Sequence, residues 1–135
     1  MRRFVTRESK KDFYILYTLV FGIISFFIYY QFADNGKSLV WSHDGIPQHL
    51  NSLAYYGRYL RNVLHTIFVE HKLSLPMWDM NIGYGSDILT TLHYYVIGDP
   101  LTLLSVFVPA DKTETLYEVL IFLRIYLAGI SFSIF

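Results

Sequence analysis

Two long apolar runs stand near the two ends of the chain, and both predict membrane-spanning helices. The first, residues 13–33, has no charged side chain, and its roughly 21 residues would extend about 30 Å as a helix, the thickness of a bilayer's hydrocarbon core. The second, residues 116–135, is apolar except for Glu118 near its start and Arg124 inside it. Because a charge at mid-membrane is costly, we expect Arg124 to face protein or a wet cavity.

Between these runs, polar and apolar residues alternate with a helical period. A polar turn at residues 34–38 ends the first run, and Pro47 suits the first turn of a helix over residues 48–70. The apolar positions of this predicted helix share one face: Leu50, Leu53, Ala54, Gly57, Leu60, Leu64, Ile67 and Phe68. The pattern predicts an amphipathic helix. It is either the core-facing element of a small external domain or a helix in the membrane interface, with Arg58 and Arg61 near lipid phosphates.

The remaining residues before the second run predict short elements. Residues 75–87 mix Pro, Gly and Asp with large apolar side chains, which indicates an ordered irregular loop. Residues 88–96 predict a helix that ends at Gly98-Asp99-Pro100. Residues 101–108 are apolar but too short to span a bilayer, so we expect a re-entrant or interfacial helix there. Residues 110–114 form a second polar turn.

Composition supports a membrane protein. Hydrophobic residues make up 53% of the chain and charged residues only 16%, with a mean hydropathy of +0.34. The net charge is zero, so nothing favours nucleic acid as a partner. Basic residues concentrate before the first run, which predicts a cytoplasmic N-terminus and an external segment after the run. The run is too long for a cleaved signal peptide and lacks its cleavage site.

The predicted fold is therefore an all-α membrane protein in which two transmembrane helices flank a large, mostly helical external loop. The predicted parts are a basic cytoplasmic N-terminus (residues 1–12), a first transmembrane helix (13–33), the external loop (34–115) and a second transmembrane helix (116–135). The second run stops at Phe135 without a polar flank, so we expect the chain to be the front end of a longer protein.

Candidate chemistry is confined to external carboxylates. The chain has no cysteine, no phosphate-binding glycine loop and no nucleophile elbow, and no two of its five histidines have the i, i+4 spacing favoured for zinc. The external acids near aromatic residues are Asp44, Asp79, Asp87 and Asp99. Asp44, beside His43, could reach an acceptor hydroxyl as a general base, but each Asp could equally cap a helix or turn.

Five short blocks, in order, resemble the beginning of the YfhO family of bacterial membrane proteins. They are Asp44-Gly45 with Gln48-His49-Leu50, Pro76-Met77-Trp78-Asp79, Gly83-Tyr84-Gly85-Ser86-Asp87, Tyr94-Tyr95 and Asp99-Pro100-Leu101. The resemblance extends over residues 13–135. It implies a polytopic, multi-pass protein of the bacterial cell membrane with the GT-C glycosyltransferase fold. Such an enzyme would move a sugar from a polyprenyl-phosphate donor to an extracytoplasmic acceptor such as a cell-wall teichoic acid.

The resemblance also implies roles for particular residues. Asp44 matches the family's acid in the early external loop and is the candidate general base. The candidate substrate-binding residues are His43, Gln48, Arg58, Arg61, Trp78, Asn81, Asp87, Tyr94 and Tyr95. No cofactor or metal ligand is predicted, and a divalent-metal requirement stays open.

Family members are several times longer than this chain, which bears on its activity. We expect the rest of the same polypeptide, or a partner subunit, to complete the active site together with membrane lipid, and the fragment alone to be inactive. The alternative is a non-enzymatic membrane scaffold or assembly protein, or an inactive truncated fragment.

Overall fold

A computed structural model describes the backbone of residues 7–134 and the side chains of residues 10–134. The first six residues, with the predicted cytoplasmic Arg2 and Arg3, and Phe135 lie outside the described residues. The α-helices are α1 (Arg7–Asp34), α2 (Asn51–Phe68), α3 (Ile88–Leu92) and α4 (Thr113–Ile134). The other elements are π-helical turns at Gly45–Leu50 and His93–Ile97, 3₁₀ helices at Pro100–Phe107 and Ala110–Lys112, and strands β1 (Trp78–Asp79) and β2 (Ser86–Asp87).

Both long apolar runs are helices, as predicted. The segments Lys10–Asp34 and Ala110–Ile134 are long and apolar enough to cross a membrane. The described part of α1 runs from Arg7 to Asp34 and so includes polar residues ahead of the apolar run, none of which is Gly or Pro. α4 begins at Thr113, since the predicted polar turn at 110–114 is instead a 3₁₀ turn that leads into the helix. Arg124 is half-buried.

One compact unit combines α1 with the second part of α4. The Tyr17 hydroxyl donates to the backbone oxygen of Tyr126 at 3.1 Å, and the two rings stack at 5.4 Å. The hydroxyls of Tyr126 and Thr18 lie 2.9 Å apart. In a bilayer, polar groups must find partners within the protein. These contacts therefore suit helices surrounded by lipid.

The second compact unit, Val40–Leu120, has its own small core. Leu53, Val96 and Leu120 are at most 2% exposed, and Thr102 donates its hydroxyl to the backbone oxygen of Val96 at 2.6 Å. α2 packs closely on the 3₁₀ helix Pro100–Phe107, which has the short length predicted for this apolar stretch.

The buried face of α2 differs from the predicted one. Leu53 and Gly57 are buried as expected, but Leu64 and Phe68 are exposed, at 41% and 72%, whereas Tyr56 and Val63 are buried instead. The cause is the close approach at Gly57, where a side-chain carbon would lie 2.7 Å from the backbone oxygen of Ser105. That contact sets the rotation of α2 against the 3₁₀ helix.

The loop over residues 75–87 is ordered, as predicted, but it contains the antiparallel pair of β1 with β2, in which Trp78 lies opposite Asp87. The described residues are mostly helical, as predicted, and this short strand pair is an addition that the sequence pattern did not predict. Gly83 and Gly85 have φ values of 61° and 102°, which favour glycine and allow the chain to reverse between the two strands. α3 follows β2 directly and continues as a π-helical turn to Ile97, close to the predicted end.

Candidate functional site

Asp44 lies immediately before the π-helical turn Gly45–Leu50, but its side chain does not cap that turn. The backbone oxygen of Asp44 accepts from the N–H groups of Gln48 and His49 at 3.2 and 3.1 Å. Its carboxylate oxygen Oδ1 accepts from Gln48 Nε2 at 3.0 Å, and the Tyr95 hydroxyl donates to Gln48 Oε1 at 2.9 Å. The result is a chain of hydrogen bonds from Tyr95 through Gln48 to Asp44.

Aromatic rings lie next to this series of hydrogen bonds. The His49 ring lies 5.2 Å from that of Tyr95 and 6.1 Å from that of Tyr94, and the two tyrosine rings are 5.2 Å apart, edge to face. On the other side of Asp44, His43 stacks on Trp41 at 5.4 Å. Trp41 and Tyr94 remain 60% and 74% exposed. We name Asp44, Gln48, His49, Tyr94 and Tyr95 the Asp44 cluster.

A second candidate site, separate from the Asp44 cluster, is a cleft of about 550 Å³ that lies along α2. One wall is a stripe of α2 residues at helical spacing, and the other is formed by the segment between Ser74 and Asn81. Two hydrogen bonds hold the walls together. The Tyr55 hydroxyl donates to Asp79 Oδ2 at 2.5 Å, and the Tyr59 hydroxyl donates to the backbone oxygen of Pro76 at 3.1 Å.

Asp79 and Tyr55 fix each other's charge state. The hydrogen bond from Tyr55 and the bonds from Asn81 N and Nδ2 to Oδ1, both 2.8 Å, hold the pKa of Asp79 below its usual range, and the nearby charge of Arg58 acts in the same direction. Burial, followed by the hydrogen bond to Asp79, raises the pKa of Tyr55. At neutral pH the carboxyl is therefore ionised and the phenol protonated.

The two arginines of α2 have different environments. Arg58 is exposed and lines the cleft. Arg61 is half-buried, and its Nη1 donates to the backbone oxygens of Ser105 and Val108 at 2.9 and 2.7 Å. Arg61 thus donates to carbonyl groups at the end of the 3₁₀ helix Pro100–Phe107, where helical hydrogen bonding runs out. Only Arg58 has its guanidinium group directed to the cleft.

Two of the four candidate aspartates cap helical segments, which was the alternative left open by the sequence. Asp87 Oδ1 accepts from Thr90 N at 2.7 Å at the start of α3. Asp99 Oδ1 accepts from Leu101 N at 2.9 Å at the start of the 3₁₀ helix. Within residues 7–134 no group of three or more His, Asp or Glu side chains is arranged to hold a metal ion.

The structure therefore separates the predicted site residues into two groups. Asp44, Gln48, Tyr94 and Tyr95 belong to the Asp44 cluster, while Arg58, Trp78 and Asn81 line the cleft. His43 stacks beside the cluster, and Arg61 and Asp87 have the local roles described above.

Sequence reasoning missed some residues that line the cleft or hold its walls together. Tyr55, Tyr59 and Asn62 lie at i, i+4 and i+7 on α2, so a stripe of polar and aromatic residues on the polar face of the amphipathic pattern was the available signal. Asp79 was recognised as an external acid but not as the partner of Tyr55.

Comparison with known proteins gives one match. The family model described as "Bacterial membrane protein YfhO" matches residues 16–135, so it includes both groups of candidate residues. Neither the curated proteins nor the solved structures give a match.

Proposed function

Because the chain belongs to the YfhO family of bacterial membrane proteins, a glycosyltransferase-related family, we propose that it takes part in sugar transfer at the membrane. The donor in this proposal is a sugar on polyprenyl phosphate. The acceptor is a hydroxyl group of an extracytoplasmic polymer such as a cell-wall teichoic acid. The chain would supply the external loop of a GT-C type fold, with its N-terminus in the cytoplasm and the loop of residues 34–115 outside.

The arrangement of the Asp44 carboxylate is the observation that supports this proposal most strongly. Oδ1 is held by Gln48, which is itself held by Tyr95. Oδ2 accepts no hydrogen bond from the described part of the chain, and Asp44 is exposed. A carboxylate oriented through one oxygen and open at the other has the geometry that a general base requires.

The proposed chemistry is a single displacement at the anomeric carbon of the donor sugar. The acceptor hydroxyl oxygen attacks this carbon while its proton passes to Asp44 Oδ2. The bond between the anomeric carbon and the phosphate oxygen breaks, and polyprenyl phosphate leaves with the electron pair. Because one displacement inverts a carbon centre, the configuration of the transferred sugar is inverted.

The two candidate spanning segments fit a lipid-linked donor. Lys10–Asp34 precedes the loop that carries Asp44 and Ala110–Ile134 follows it, and Asp44 follows the end of α1 after a short connection in the sequence. A polyprenyl chain partitions into the hydrocarbon core, so the phosphate and sugar that it carries stay at the membrane surface. An enzyme anchored on both sides of its external loop would meet the donor there.

A transfer assay tests the proposed function directly. Membranes with and without the full-length gene product receive a polyprenyl-phosphate donor that carries a radiolabelled sugar, together with the isolated cell-wall polymer. We expect label to move from the lipid fraction to the polymer only when the protein is present. If the label stays in the lipid fraction while the protein binds the polymer, the chain is a scaffold and not part of a transferase.

A further inference from the structure

The cleft between α2 and the segment Ser74–Asn81 has the features of a binding site and is not used by the proposed proton transfer. Its walls are fixed by the bonds from Tyr55 to Asp79 and from Tyr59 to Pro76, so it does not depend on a ligand to form. Its volume, about 550 Å³, lies within the usual range of roughly 300 to 1,000 Å³ for small-molecule sites.

Arg58 gives this cleft an unused positive charge. Its guanidinium group forms no hydrogen bond or ion pair with any residue that the structure describes, and its charge lies near enough to Asp79 to stabilise the ionised carboxyl. A guanidinium group binds phosphate oxygens through parallel hydrogen bonds, and a phosphate is a better match for it than a neutral group.

The groups that line the opposite wall suit hydroxyl groups. Asp79 Oδ1 already accepts two hydrogen bonds from Asn81, whereas Oδ2 accepts one, from Tyr55, so Oδ2 has a lone pair available for a ligand hydroxyl. Asn81 Oδ1 accepts no hydrogen bond from residues 7–134 and offers a second acceptor. Ser74 adds a polar side chain to this wall, and Asn62 and Thr66 add two to the α2 wall.

Trp78 supplies an apolar surface beside these polar groups. Its ring lines the cleft and is 61% exposed, with Nε1 directed to the Met80 sulfur at 3.3 Å. The face of an indole ring carries partial negative charge and attracts the weakly positive C–H groups of a sugar or polyol. An aromatic surface next to acceptors for hydroxyl groups therefore matches a carbohydrate-like ligand.

We infer that the cleft binds a phosphorylated sugar or polyol, with its phosphate at Arg58, its hydroxyl groups at Asp79 and Asn81, and its C–H surface on Trp78. Two molecules in the proposed reaction have this chemistry: the sugar-phosphate head group of the donor and a polyol-phosphate acceptor. Naming these two as the source of the ligand depends on the proposed function, whereas the binding chemistry of the cleft does not.

Fluorescence of Trp78 measures binding in the cleft. The 135 residues contain two tryptophans, so Trp41→Phe leaves Trp78 as their single reporter, and the titration uses the 135-residue chain in detergent micelles. The probes are glucose 1-phosphate, glucose and inorganic phosphate. We expect glucose 1-phosphate to change the fluorescence saturably and to bind more tightly than either of the other two. The absence of a saturable change with glucose 1-phosphate would overturn the inference.

Arg58→Ala tests the phosphate contact. It should raise the Kd for glucose 1-phosphate at least about tenfold, the loss expected for a charged hydrogen bond, and leave the Kd for glucose unchanged. Lys72→Ala is the matched control, because Lys72 is an exposed cation outside the cleft lining. Equal losses in the two variants would mean non-specific charge attraction and would contradict a defined phosphate site.

Competition identifies the source of the ligand. A short-chain prenyl-phosphate glucose and a glycerol phosphate trimer are each added to the complex with glucose 1-phosphate. Displacement by the first supports the donor head group, and displacement by the second supports the acceptor. If neither displaces glucose 1-phosphate, the assignment to a phosphorylated sugar or polyol of the envelope is wrong.

Asp44→Asn separates this inference from the proposed function. The substitution lies outside the cleft lining, so the titration of Trp78 should be unchanged. If Arg58→Ala loses binding of glucose 1-phosphate and Asp44→Asn keeps the fluorescence response, the results support ligand binding in the cleft. This conclusion holds whatever the result of the transfer assay. If the protein transfers sugar but none of the probes binds in the cleft, the inference about the cleft is refuted and the proposed function stands.

Discussion

The carboxylates of Asp87 and Asp99 each accept a hydrogen bond from a backbone N–H that follows within three residues. The Asp44 carboxylate instead accepts one from the side-chain amide of Gln48. The difference comes from the local backbone. Asp87 and Asp99 are in extended conformation at the start of a helical segment, where the N–H groups ahead of them point back at the carboxylate, but Asp44 already has helical backbone angles. The Asp44 carboxylate is therefore oriented by Gln48.

Asp79 makes the stability of the unit Val40–Leu120 dependent on pH in the acid range. Its pKa is lowered in the folded chain, so its contribution is complete above the ordinary value of 3.8 and is lost as the pH falls through the folded value. We expect the melting temperature of the wild-type chain in micelles to exceed that of Asp79→Asn at neutral pH. The gap between the two melting temperatures should close below about pH 4. A gap of constant size from pH 7 to pH 3 would contradict this role.

At the scale of the elements, α2 connects the core with the cleft. One face buries Leu53, Gly57 and Val63, and another carries Arg58 into the cleft. The hydrophobic period of the sequence predicted the helix and part of its buried face. The exact rotation depends on the contact between Gly57 and Ser105, which are far apart in the sequence and whose contact leaves no periodic signal.

Gly57→Ala tests this packing. The added methyl group would meet the Ser105 backbone oxygen at 2.7 Å, so α2 and the 3₁₀ helix must separate. Overpacking of this kind costs about 1 to 3 kcal/mol, more than alanine gains through its helix propensity. We expect a lower melting temperature by circular dichroism. Gly22→Ala in α1, where nothing lies within 4 Å, is the control and should melt no lower than wild type.

The cleft was less predictable than the helices. The apolar runs identified α1 and α4 because membrane helices carry a strong local signal. The opposite wall of the cleft depends on the bond from Tyr55 to Asp79 and on the pairing of Trp78 with Asp87. Single-sequence patterns do not reveal such pairings between distant residues, so Trp78 and Asn81 were predicted as contacts without the cleft that contains them.

At the scale of the whole molecule, the account requires both ends of the external loop to be anchored in the membrane. Two segments are long and apolar enough for this, and the family match includes the second entirely and the first from residue 16 onwards. The proposed orientation rests on the prediction from the basic residues near the N-terminus, which favour the cytoplasmic side. The proposed donor and acceptor chemistry depends on that orientation, because the acceptor polymer lies outside.

Cysteine labelling of intact cells that express the 135-residue chain tests the orientation, because these residues include no cysteine that could interfere. We expect Asp44→Cys and Asp111→Cys to react with a membrane-impermeant maleimide from outside. Lys11→Cys, at the other end of α1, should react only after the membrane is permeabilised. Labelling of Asp44→Cys only in permeabilised cells would place the proposed base on the wrong side.

The most direct test of the central claim is the rate of sugar transfer by Asp44→Asn in membranes that contain the full-length gene product. Asparagine can still accept the hydrogen bond from Gln48, so the fold should remain, but it cannot take the acceptor's proton. We predict a loss of about 10² to 10⁴ in rate at an unchanged protein level, while Asp111→Asn, an exposed acid in a turn, stays active. Full activity of Asp44→Asn would contradict the account.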